Sequence, residues 1–335
     1  MGYKFATIQD VAKVAGVSTA TVSRTLSKPS VVAAGTREAV RRAVEETGYQ
    51  VNTTAANLRL QRTGTVIVLL PNIANPFFSQ ILAGLSLELS DAKYGLLVTD
   101  TQTGPDPDAR LAEYLRFRRA DGILLFDGTL SSQALDIPGR PPLVMVCEWM
   151  ERDVPTVRVN NEHGAEMAVD HLVSLGHRSI GHVTGPEGNV LSASRLAGYR
   201  TAMERRGLPV DERWVIDGDY SMDSGAAAGR RWLTMEKRPT ALFLASDEMA
   251  LGFLGVVQAA GVSVPRDVSI VGFDNIEISQ HLTPALTTIR QPRTEIGIRA
   301  ARKLLGLIHT GSLTGPSEVI EVEFIERRSA APPPS

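Results

Sequence analysis

Apolar positions recur at three- and four-residue spacing along the first sixty residues, and after Gly64 they gather into short continuous runs. The first pattern predicts helices, and the second predicts buried strands separated by helices. In TIQDVAKVAGVSTATVSRTL, Ile8, Val11, Ala12 and Ala15 mark one short helix, and Gly16 gives the backbone freedom to leave it. Thr7 is its expected N-cap. Ser18 is placed to cap a second helix beginning near Thr19, whose Val22 and Leu26 face the first. A third helix is predicted from Thr36, as N-cap, to Thr47, with Val40, Ala43 and Val44 inward and Gly48 as its stop. Arg37, Arg41 and Arg42 remain in water.

Two short helices joined by a tight turn form a helix-turn-helix, whose second helix enters the major groove. Any small three-helix domain can use Ala, Val and Gly in this way, so the outward residues matter. Thr19 offers a hydroxyl to a base edge or phosphate, Ala20 can meet a thymine methyl, and Arg24 can donate a fork to guanine. Ser18 and Ser23 suit phosphates or capping. In the following NTTAANLRLQRTG, Asn52 can cap a short helix through Leu60. Such a helix is marginal alone. DNA or a symmetry mate can stabilise it, with Leu58 as a minor-groove wedge, or the segment is a linker packed on the next domain.

Beyond Gly64, the runs TVIVLLP, GLLVTD, DGILLFDG and PLVMVCE read as strands. Helices through Phe77 to Leu85 and across ARLAEYLRFRR separate them. A second series, SIGHVTG, WVIDGDY, TALFLAS and VSIVGFDN, starts near Asn161, with helices at Met167 to Val173, Leu196 to Met203 and Met249 to Ala260. The expected fold is α/β: two Rossmann-like lobes of parallel sheet, with a ligand cleft at the strand C-terminal ends. Arg195, Asp247 and Asp274 are the charged candidates there, suited to a neutral polyol. Phe77, Phe78, Phe126, Trp149 and Tyr220 can wall a base or sugar ring, two or three of them touching it.

Charge sharpens the division of labour. Through Arg62 nine basic residues face four acidic ones, a net of +5, whereas the remaining 273 residues carry 26 against 33, a net of -7. A basic head on an acidic body meets a polyanion without making the whole surface adhesive. The 335 residues, 43% hydrophobic, can build real cores. The single cysteine, Cys147, excludes a disulfide framework, and the six histidines lack metal-ligand spacing, so neither metal nor cofactor is expected. With no leader pattern in residues 1–20 and no run able to span a bilayer, the expected location is the cytoplasm. GPEGNV is no dinucleotide fingerprint and GxxxxGK[ST] is absent; a sugar- or nucleoside-processing enzyme is the remaining nonregulatory alternative.

TIQDVAKVAGVSTATVSR, the stretch from Asn52 to Leu60 and nearly all of the body resemble the lactose/purine repressor family of transcription regulators. The resemblance implies a homodimer on a pseudo-palindromic operator. Thr19, Ala20 and Arg24 would then read bases, and Leu58, with Arg59 beside it and Asn52 at the hinge start, would enter the central minor groove. With Thr7, Ser18 and Ser23 these form the candidate DNA-contacting set. The expected domains are residues 1–50 for the head, 51–62 for the hinge, 63–161 with 293–321 for one lobe, and 162–292 with 322–330 for the other.

The resemblance also places Arg195 and Asp274 at effector-contacting positions. It puts the dimer surface on helices near Phe77 to Leu89 and Glu248 to Ala260, and no leucine heptad follows Arg328 to make a tetramer. STATVSR, NPFF, Glu148, GDYSMDSG, ASDEMALG and the GFDNIEISQHL stretch are most similar to nucleoside-responsive members, which implies a nucleoside that relieves repression; ribose or another monosaccharide is the alternative ligand, and purine-binding members, which tighten on effector, leave the sign open. Asn189 and Leu191 stand where purine-binding members have an arginine and a threonine, which disfavours a free purine base.

Overall fold

The computed structural model describes residues 6–49, 62–102, 106–116 and 119–334. The chain divides into two compact units, Met1–Arg62 and Thr63–Ser335. In the first, helices α1 (Ile8–Ala15), α2 (Thr19–Ser27) and α3 (Ala34–Thr47) close on Val11, Ala12, Val22, Val40 and Ala43. Thr7 and Asp10 form a reciprocal capping box at the start of α1, and Gly16 ends it in the left-handed conformation at φ 65°. Ser18 Oγ accepts the Thr21 N–H at 3.1 Å, so the sequence-predicted start of α2 holds.

Two expectations fail locally. Leu26 is 37% exposed, because Val22 and Thr25, one turn apart, take the inward stripe. The Thr25 hydroxyl can be buried because it donates to the Thr21 carbonyl at 2.8 Å. Helix α3 begins at Ala34 rather than after a Thr36 cap. A 3-10 turn at Pro29–Val31 delivers the chain early, and Ala33 and Ala34 favour helix more than threonine does.

The second unit holds two six-stranded sheets. The first contains β1 (Thr65–Leu70), β2 (Gly95–Asp100), β3 (Gly122–Leu125), β4 (Leu143–Val146), β5 (Thr156–Val159) and β11 (Glu318–Ile320) in the order β11-β5-β4-β3-β1-β2, all pairs parallel. The continuous apolar runs follow from cover on both faces. Val66, Val68 and Leu70 of β1 pack with helices α4 (Phe77–Asp91) and α10 (Arg293–Thr310), whereas Ile67 and Leu69 pack with α5 (Pro107–Arg116). An added Cβ at Gly84 would lie 2.2 Å from the Thr294 carbonyl oxygen, and one at Gly297 2.2 Å from that of Ile81, so α4 and α10 meet backbone to backbone.

The second sheet contains β6 (Ile180–Val183), β7 (Val215–Ile216), β8 (Ala241–Leu244), β9 (Ser269–Asp274), β10 (Thr287–Arg290) and β12 (Glu323–Ile325) in the order β12-β10-β9-β8-β6-β7. Only the β10–β12 pair is antiparallel. Helices α6 (Asn161–Ser174) and α7 (Val190–Arg205) cover one face, and α8 (Met222–Thr234) and α9 (Asp247–Ala259) the other. The chain passes between the sheets three times: from β5 to α6, from β10 to α10, and from β11 to β12. At the second passage, buried Arg293 donates to the Phe77 carbonyl at 3.3 Å and the Asn275 carbonyl at 3.0 Å, joining the two lobes.

Candidate nucleic-acid interface and effector cavity

On α2, Thr19, Ala20 and Arg24 are exposed and Ser23 is half-buried, so three side chains of different chemistry face outward from one short helix. Ser18 and Thr7 spend their hydroxyls on capping, Ser18 toward Thr21 and Thr7 toward Asp10. They fix the helix ends from which a phosphate can be met. Asn52, Leu58 and Arg59 lie outside the described residues.

A cavity of about 230 Å³ opens between the lobes of the second unit. Its walls come from residues just past the strands: Asn72 after β1, Gln102 after β2, Phe126 and Asp127 after β3, Cys147 and Glu148 after β4, Ser246 after β8, and Asp274 ending β9. This is where parallel α/β sheets present ligand sites. Four of the five expected aromatics line it: Phe77, Phe78, Phe126 and Tyr220. The phenylalanine rings pack edge to face, 5.2 Å between Phe77 and Phe78 and 5.7 Å between Phe78 and Phe126.

Arg195 is 3% exposed. Its Nε donates to Asn161 Oδ1 at 3.0 Å, one terminal nitrogen donates to the Ala245 carbonyl, and the other stands 3.9 Å from Asp274 Oδ1. Phe273 lies under the guanidinium, with the ring centre 3.8 Å from Cζ. Asp274 accepts from Gln291 Nε2 at 2.7 Å. Burial pushes its carboxyl above the usual range despite Arg195 and Arg293 nearby. Glu148 bridges the lobes: Gly128 N–H donates to one oxygen at 2.7 Å and Asn189 Nδ2 to the other at 2.8 Å. Burial raises it to about 7 against those two hydrogen bonds.

Backbone strain concentrates here. Cys147, Tyr220 and Asp274 line the cavity at φ of 67°, 68° and 117°, and Asn275 follows at 54°. Such conformations cost about 1–3 kcal/mol each and are retained where surrounding structure holds a side chain in place.

Two expected contacts are corrected. Asp247 does not line the cavity; it is fully buried. Its oxygens accept from Ile276 N–H at 2.9 Å, Ser279 Oγ at 2.6 Å and Thr288 Oγ1 at 2.6 Å. Its work is to tie the start of α9 to β10 and to the loop after β9. Trp149 is likewise absent from the lining. Glu148 takes the inward position, and the next residue turns away so that Arg158 stacks on the indole at 4.4 Å. Sequence reasoning missed Asn72, Gln102, Asp127, Asp219 and Glu248 as wall residues. The first three sit in the two positions after a strand, a signal that was available. Among the described residues no His, Cys, Asp or Glu group is placed to hold a metal, and no helix is long and apolar enough to cross a membrane.

Residues 7–52 match the bacterial regulatory proteins of the lacI family, and residues 169–330 match a periplasmic binding protein-like domain. The HTH-type transcriptional repressor CytR of Escherichia coli (strain K12) is 37% identical over 331 residues, 97% of this chain and 96% of that relative. Among solved structures, the Lac repressor bound to ONPG aligns with a TM-score of 0.86 at 28% identity, covering 98% of this chain and all of that one. A LacI family transcriptional regulator from Enterococcus faecium with bound ribose aligns at 0.72 and 29% identity, covering 80% of this chain and 99% of that one. These similar proteins are regulators, which removes the processing-enzyme alternative. A basic head exposing a recognition helix, a two-lobed body with a small cavity between its lobes, and end-to-end similarity together place this chain in the lacI family of DNA-binding transcriptional repressors.

Proposed function

We propose that this repressor senses a nucleoside in the interlobe cavity and that occupancy lowers its affinity for a pseudo-palindromic operator of about fourteen to twenty base pairs. The observation that carries this reading is the cavity itself: an Arg195–Asp274 polar grip faces a wall of Phe77, Phe78, Phe126 and Tyr220. The grip suits adjacent ribose hydroxyls, and the wall suits a flat base. Asn189 argues against a free purine, because its amide nitrogen is engaged by Glu148 and its oxygen accepts the Leu191 and Ser192 N–H groups. Binding regulates only through a difference in effector affinity between the DNA-competent and incompetent lobe arrangements. A second reading, free ribose, is favoured by the ribose-bound relative, and it uses the grip without the aromatic wall.

Titration calorimetry against nucleosides, their free bases and pentoses, followed by operator binding with each hit, tests both. Saturable binding of a nucleoside that releases operator is expected. Arg195→Ala and Asp274→Ala are each expected to weaken it at least tenfold, about 1.4 kcal/mol. Binding of a monosaccharide and no nucleoside would sink the nucleoside reading.

A further inference from the structure

We propose that the cavity selects its effector for the absence of a phosphate, admitting a nucleoside or pentose and rejecting the phosphorylated form of the same compound. This rests on the cavity being the effector site for that class, and three observations carry it.

The first is the supply of cations. Among the described residues lining the cavity, Arg195 is the only basic side chain; its Nε and one terminal nitrogen donate to Asn161 and the Ala245 carbonyl, and the other stands 3.9 Å from Asp274 Oδ1. The nitrogen left to donate can meet a neutral hydroxyl, whereas a phosphate drawn to it would stand against the Asp274 carboxyl beside it, with no second cation to offset the charge.

The second is the state of the helix N-termini. The first turns of α4, α7, α8 and α9 border the cavity, and free N–H groups there would make an anion site. Three of them, α7, α8 and α9, have a side-chain cap from the rim, and at α4, whose N-cap is Pro76, the Asn75 side chain takes the first N–H. Asn75 Oδ1 accepts from Phe77 N–H at 2.8 Å, Asn189 Oδ1 from Leu191 at 2.9 Å, Ser221 Oγ from Ser224 at 3.1 Å, and Ser246 Oγ from Met249 at 3.1 Å. Neutral acceptors thus already take one or two of the N–H groups that each helix start would offer an anion.

The third is the number of acids. Asp127, Glu148, Asp219, Glu248 and Asp274 all line this one small space, and although burial raises the carboxyls of Glu148, Glu248 and Asp274, none of the five offers a phosphate a cation. Asp127 accepts from Thr101 Oγ1 at 2.7 Å and from Thr129 N–H at 3.0 Å, with no cation among those partners. Asp219 is exposed at the rim; the desolvation it does feel acts to raise the carboxyl, but hydrogen bonds from Ser221 and Ser224 outweigh it and hold the group below the ordinary range, so it carries charge at neutral pH. A phosphate brings a charge of about -1.5 to -2 into this surface, and repulsion across a few ångströms in a medium of reduced dielectric is strong.

The regulator would therefore respond to what a phosphate-removing reaction produces and stay blind to what phosphoryl transfer makes of it. Calorimetry on the full chain tests this with the ribonucleosides and ribose, each beside its 5′-phosphate. Every phosphorylated compound is expected to bind at least about a hundredfold more weakly than its parent. A phosphate that binds as tightly as its parent overturns the proposal. Asp219→Asn keeps the acceptor for Ser221 and is expected to narrow the ratio about tenfold; an unchanged ratio would assign the exclusion to shape and overturn the electrostatic account. Ribose binding without ribose 5-phosphate or nucleoside binding would sink the nucleoside reading and leave phosphate exclusion standing. Binding of no phosphate-free member would refute both.

Discussion

Two residues carry the sharpest single-site expectations. Arg24 stands exposed on α2 with its guanidinium available for a base edge. Arg24→Ala is expected to remove about 1–3 kcal/mol of discrimination at one operator position. Mobility shifts at fixed salt across operator variants measure this, and equal weakening on every sequence would contradict base reading. His182 concerns stability. It is buried between the Tyr199 and Phe243 rings, and that burial holds its imidazole down at about 4. The unfolded chain takes up this proton at higher pH than the folded one, so the contribution is complete above about pH 6.5 and is lost as pH falls toward 4, about 3 kcal/mol in all. Urea midpoints at pH 7, 6 and 5 should fall less steeply in His182→Leu than in the parent, and parallel slopes would rule the histidine out. Asp274 was legible in the sequence as a charged group at a strand end, and Arg195, inside α7, through the family resemblance. Asp247 shared that signal and misled, since only the fold shows Ile276, Ser279 and Thr288 converging on its oxygens.

At the scale of elements, periodicity placed α1 and α2 because their caps are written in the chain as Thr7, Ser18 and Gly16. Helices α8 and α10 and strands β5, β10, β11 and β12 were not read. All four of those strands have only three or four residues with at least one exposed or half-buried position, and β11 and β12 pair with partners more than thirty residues away. Their pairing is a property of the sheet rather than of the run. The contact between α4 and α10 was equally invisible, since a glycine inside a helix pattern reads as a weak spot. Its meaning emerges when Gly84 faces a backbone carbonyl of α10. Gly84→Ala has no room to relax by a side-chain rotation and is expected to lower stability by about 1–3 kcal/mol or more. Thermal unfolding reads it, and an unchanged midpoint would mean that α4 and α10 slide apart without penalty.

For the whole molecule, the net charge of +5 on the first 62 residues against -7 on the rest was legible by counting, and it fits a protein that grips DNA with one part and repels it with the other. The expectation of a dimer came from a hinge helix too short to stand alone and from the resemblance. Exposed Leu87 on α4, at 56%, and Leu97 on β2, at 49%, are apolar groups that suit a covered face. Sedimentation is expected to give about twice the 36.1 kDa chain mass, and Leu87→Asp with Leu97→Asp to shift it toward the monomer. A parent that stays monomeric at micromolar concentration would exclude the dimer. The threefold passage of the chain between the sheets has a consequence for synthesis. Neither lobe is a continuous stretch of sequence, and each sheet receives its last strand from residues 318–325. On the ribosome the three-helix head, built from local contacts, can fold while most of the message is still unread. Both sheets wait, one edge open, until nearly the whole chain has emerged. A product stopped before β11 would carry a finished DNA reader on a body with two unfilled edges, able to find DNA and unable to answer an effector.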